Sequence, residues 1–192
     1  MRTRIAVGIA GSMTLLFAAG CTGGPAAVES SSSPAQTAPS TTNPYGAVSI
    51  DPAAPDEPVL TVQGGSTPLS LTLEQLNALG DVSITIDEPF VKQRQTFRGV
   101  PLAAVLAEAG VPENATIDTV AINDYHYADD AATMVGSQAL IATERDGAPI
   151  PYDQGGPIRL VYPDGSALSR VLDAWNWSLT TITVLGQQPP AS

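Results

Sequence analysis

Between Thr22 and Glu57 the chain reads TGGPAAVESSSSPAQTAPSTTNPYGAVSIDPAAPDE, and this run limits how much of the sequence can fold. Built mainly of Ser, Thr, Pro, Ala and Gly, with no apolar period, it cannot bury enough surface to offset the entropy of ordering it. Residues 21–56 are therefore expected to form a disordered tether, with an r.m.s. reach of about 30 Å and a contour near ~120 Å. What can pack is residues 57–186, about 130 residues, which is enough for one compact domain and too few for two. Residues 187–192 read as a short tail.

Inside that head, strand and helix signals mix without regular alternation. Val59–Val62 is a short apolar strand candidate and Gly64-Gly65 a turn. Thr72 with Gln75 has the reciprocal capping pattern of a helix start, with Leu73, Leu76 and Leu79 on one side and Gly80 as a stop. Val82, Ile84 and Ile86 alternate with Ser83 and Thr85, as a half-buried strand requires. Pro101 opens a second helix whose Leu102, Val105, Leu106 and Ala109 share a face, and Gly110 closes it. Further strands are expected over 119–122, 139–143, 158–162 and 179–185. Strands outnumber helices, so the expected class is α+β with a mixed sheet.

The N-terminus carries its own signal. Arg2 and Arg4 precede an apolar stretch, Ile5 to Ala19, that is short for a membrane span, and small residues lead into Cys21, the only cysteine. This ending resembles a bacterial lipobox. The resemblance implies that residues 1–20 are a lipoprotein signal peptide, that Cys21 is acylated, and that the protein sits outside the cytoplasm, held to the bacterial membrane by that lipid. The remainder then offers no thiol for a disulfide, a nucleophile or a metal. Losing Arg2 and Arg4 makes a formal net charge of −11 more negative still, which argues against nucleic acid as a partner.

Several phrases, in order, resemble the oxidoreductase molybdopterin-binding domain of the sulfite oxidase type. They are Leu69 to Leu79, Phe97-Arg98-Gly99-Val100-Pro101-Leu102, Asp124-Tyr125-His126-Tyr127, Asp146-Gly147-Ala148-Pro149-Ile150, Gly156-Pro157-Ile158-Arg159-Leu160-Val161-Tyr162-Pro163, and Trp175 ahead of a last strand. The resemblance covers about residues 57–186 and implies the mixed α+β sulfite-oxidase-type fold, with a molybdenum pterin held among loops. Active members carry a cysteine thiolate on the metal, between an early strand and the Phe-x-Gly-Val phrase. Here that window, Ile84 to Arg94, has none, and its Asp87 and Glu88 offer only oxygen. A carboxylate does not replace a soft thiolate on a redox metal. Active members also tend to have a lysine beside the tryptophan, where this chain has Ala174.

Four residues remain as candidates for ligand binding. Arg159, between Ile158 and Leu160 after a Gly-Gly-Pro turn, needs a bidentate partner if it is buried, and that partner is either one of the chain's many acids or an anionic ligand. In the family the matching arginine lies near the cofactor's anionic groups. Asp124, Tyr125 and His126 read either as a solvated loop or, by the resemblance, as a pocket rim. They match no standard metal-ligand spacing, and there is no Gly-x-Ser-x-Gly elbow, Walker loop or His-Glu-x-x-His. The expected function is a non-catalytic module that binds a small anionic ligand or an envelope protein, with no cofactor. The alternative is a molybdenum-pterin oxidoreductase with atypical metal ligation. Anchoring is tested at Cys21: Cys21→Ser should move the protein from the membrane fraction to the soluble one or leave it unprocessed, and an unmodified mature Cys21 by mass spectrometry would contradict the lipobox reading.

Overall fold

The computed structural model describes residues 53–187. The expectations for residues 1–20, for Cys21 and most of the tether, and for the tail beyond Gln187 fall outside the described residues. In chain order the elements are β1 (Pro58–Gln63), β2 (Leu69–Thr72), α1 (Leu73–Asn77), β3 (Val82–Glu88), β4 (Gln93–Pro101), α2 (Leu102–Glu108), β5 (Ala115–Ala121), β6 (His126–Asp130), α3 (Ala131–Gly136), β7 (Leu140–Arg145), β8 (Ala148–Pro149), β9 (Arg159–Val161) and β10 (Leu179–Gln187). Short 3-10 turns lie at Tyr152–Gln154, Ala167–Arg170 and Leu172–Ala174.

The strands form two sheets. The first runs β2-β1-β10-β5-β6, with β1 and β10 parallel and the other pairs antiparallel. The second runs β3-β4-β7, and both β8 and β9 pair antiparallel to β7. One continuous core joins them. Leu60, Val62, Ile117 and Ile182 come from the first sheet, Ile86, Phe97, Ile141 and Leu160 from the second, and Leu102, Val105 and Leu106 from α2. Each large apolar side chain buried this way contributes about 1.5–3 kcal/mol of transfer free energy.

Local chemistry explains most of these elements. Thr72 caps α1 as its spacing requires: its hydroxyl accepts the Gln75 amide at 3.2 Å while the Gln75 side chain accepts the Thr72 amide at 2.9 Å. The helix is shorter than the leucine spacing suggests, ending at Asn77 with Leu76 alone fully buried. Pro101 stands at the start of α2, and Gly110 follows it with φ +61°. Gly99 is needed for packing, because a Cβ there would fall on the Ile141 carbonyl oxygen and within 2.7 Å of the Ala142 Cα, where β4 meets β7.

Two strands were not among those expected from the sequence. β4 is rich in Arg and Gln because its polar face is exposed and neutralised by acids of its neighbours. Arg94 meets Asp87 at 3.1 Å across β3, and Arg98 meets Asp81 and Glu144, each at 2.7 Å. β6 (HYADD) is polar because it is the edge strand of the first sheet. The loop expected over 124–130 is therefore a turn followed by that strand, a hairpin with β5.

Candidate functional site

The alternation of β3 extends past its apolar residues. Ile84 and Ile86 turn inward, and two residues further on the same side lies Glu88, 1% exposed. On β9, Arg159 is also buried, its side chain 2% exposed. The two meet, with an Arg159 guanidinium nitrogen donating to Glu88 Oε1 at 2.9 Å. The other oxygen, Oε2, accepts the backbone amides of Phe90 at 2.8 Å and Val91 at 2.7 Å, so the carboxylate is held from both sides. Burial pulls the Arg159 guanidinium down to about 10 while Glu88 pulls it back up, and it stays charged at neutral pH.

Aromatic rings close the rest of the cage. The guanidinium carbon lies 4.1 Å from the Trp177 ring centroid and 5.6 Å from that of Phe97, stacking that suits a planar, weakly hydrated cation. Phe90 sets its edge against Trp177 at 5.2 Å and Trp175 at 6.3 Å, and Trp175 packs edge-on to Tyr162 at 5.7 Å. Gly155, with φ +88°, lets the backbone pass beside Trp177, since a Cβ would stand 2.9 Å from its ring carbons. Three backbone hydrogen bonds stitch this turn to the Trp segment: Ser178 to Gly155 at 2.8 Å, Leu179 to Ile158 at 3.0 Å and Leu160 to Asn176 at 2.9 Å. The buried Asn176 amide donates to the Thr119 carbonyl at 2.8 Å, which ties the segment to β5.

The other sequence candidates meet this cage only at its margin. Tyr125 is brought to it, its hydroxyl donating to the Asp173 carbonyl at 3.0 Å, beside the turn that carries Trp175. Asp124 turns the chain with φ +60°. His126 pairs with Asp118 at 2.7 Å across the β5–β6 edge, its side chain 58% exposed. Of the two kinds of partner that the sequence leaves open for Arg159, the structure supplies the internal acid. Glu88, Phe90 and Trp177 were not among the sequence candidates, although the parity of β3 was signal enough to place Glu88 on the buried side. Among the described residues no group of three or more His, Cys, Asp or Glu converges as a metal site would require.

A model of the oxidoreductase molybdopterin-binding domain matches residues 46–187. The chain belongs to this family. Comparison with curated protein sequences gives no match. Among solved structures, the sulfane dehydrogenase SoxCD from Paracoccus pantotrophus superposes with a TM-score of 0.56 at 20% identity, over 70% of this chain and 39% of that one. The fold is thus the single-domain, mixed α+β sulfite-oxidase-type arrangement, and the chain spans well under half of that longer relative.

The residues present do not fit the molybdenum pterin that the family is named for. Residues 22–192 hold no thiolate, and the buried guanidinium that would face an anion is already neutralised by Glu88. A separate cleft of about 260 Å³, lined by Val82, Ile84, Pro101, Leu140 and Pro163 with Gln138 as its polar side chain, offers no charged group for a phosphate-bearing ligand. The buried pair makes a stability prediction. Arg159→Ala strands the Glu88 carboxylate and should destabilise the domain by roughly 3–5 kcal/mol in urea unfolding. Arg159→Lys should lose less, since it keeps the charge but not the planar stacking on Trp177. A change below ~1 kcal/mol for Arg159→Ala would contradict the buried pairing.

Proposed function

We propose that this protein is a lipid-anchored, extracytoplasmic module that keeps the molybdopterin-oxidoreductase fold as a non-catalytic scaffold for a ligand or an envelope partner. The observation that carries the reading is the Glu88–Arg159 contact, in which the chain supplies its own anion to the arginine. A redox metal in this fold would need a thiolate donor that residues 22–192 do not contain, and Glu88 is fully engaged with Arg159 and two backbone amides. Lipidation of Cys21 holds the protein to the membrane.

Surface chemistry supports a protein partner. Exposed apolar side chains gather around the closed cage: Phe90 at 42% and Leu172 at 50% beside Trp175, Tyr125 at 40% on Asp173, and Ile122 at 46%, whose amide donates to the Ser178 carbonyl.

Purification from a host that makes the pterin cofactor tests the non-catalytic reading. Metal analysis and pterin fluorescence should both stay at background for the wild-type protein. Stoichiometric molybdenum with pterin would return the chain to the alternative, an oxidoreductase of sulfite-oxidase type with atypical metal ligation.

A further inference from the structure

The cage around Arg159 holds more donors than Glu88 uses. Arg159 Nε, Trp175 Nε1 and Trp177 Nε1 are all buried and have no hydrogen-bond partner, and the second guanidinium nitrogen reaches only the Gln154 carbonyl, at 3.5 Å. Buried N–H groups without partners are uncommon, and each carries a desolvation penalty. The guanidinium itself, with Nε unpartnered and its second nitrogen held only at 3.5 Å, has donors left for a fuller set of acceptor oxygens than one carboxylate provides.

What fills the cradle comes from a turn. Glu88 ends β3, and its carboxylate is fixed by the amides of its own turn, Phe90 and Val91. Phe90 wedges against both tryptophans yet stays 42% exposed, and Val91 is 47% exposed. The turn therefore lies over the cage as a plug whose inner end is a carboxylate and whose outer side meets solvent.

We infer that Glu88 is a built-in ligand: the 88–91 turn occupies from within the chain an oxyanion cradle centred on Arg159 and walled by the rings of Trp177 and Phe97, and shuts it to free anions. This deepens the non-catalytic reading of the same site, since it states what keeps the arginine from an external ligand. A tethered carboxylate needs no translational entropy to bind and so outcompetes free anions at ordinary concentrations.

The test is chemical rescue. Glu88→Ala leaves a void that matches acetate, and acetate should raise the melting temperature of this variant saturably, by about 3–5 °C over chloride at equal ionic strength. The same titration should change the emission of Trp175 and Trp177, the chain's only two tryptophans. Wild type should not respond, and Glu88→Ala with Arg159→Met should lose the response. Equal effects of acetate and chloride on Glu88→Ala, or an equal response by wild type, would overturn the inference. If Glu88→Ala does not fold in chloride, recovery on refolding in acetate supports the plug. Failure to recover, together with a Phe90→Ala variant whose emission ignores acetate, overturns it. These readouts are independent of cofactor content, so the plug and the non-catalytic reading can fail separately.

Discussion

A guanidinium placed between two strands of a protein core must meet an anion, and the site of this domain is organised around that requirement. Stripping an ion pair of water costs several kcal/mol per charge, so the pair is tolerated only with close geometry and satisfied lone pairs. Glu88 meets both conditions, with one oxygen on Arg159 and the other on two backbone amides. Trp177 and Phe97 then supply faces for the cation, an attraction that strengthens when water is excluded.

The fold delivers these groups from distant parts of the chain. Glu88 arrives on the first strand of the second sheet, Arg159 on the strand beside β7, and the tryptophans on the segment that leads into β10 of the first sheet. The site is thus a junction between sheets, where Gly155, Leu160 and Asn176 knit the two chain segments together. The architecture of the family is kept here, and one carboxylate of the chain pairs with the buried arginine.

Much of this was legible in the sequence, and the exceptions have physical reasons. The alternation of Val82, Ile84 and Ile86 placed β3, short apolar runs placed β1, β7 and β10, and the Thr72–Gln75 capping pair placed α1, because those signals are local. β4 and β6 escaped because their polar residues face solvent and are balanced by acids on other strands, information that only the pairing supplies. Arg159 stood out as a cation in an apolar strand. Its partner did not, because Glu88 and Arg159 lie 71 residues apart and nothing local names one as the other's match. The indole of Trp177 was missed for the same reason: its role depends on Gly155, which approaches it from another turn.

The central claim, that one buried charge pair replaces an external anion as the keystone of the site, is tested most directly by a double-mutant cycle at Glu88 and Arg159. Glutamine at 88 keeps an acceptor for the turn amides while removing the charge, and methionine at 159 keeps volume while removing the cation. The account predicts that Glu88→Gln combined with Arg159→Met is more stable than Arg159→Met alone, with a coupling of at least ~2 kcal/mol. Losses that add with no coupling would contradict it.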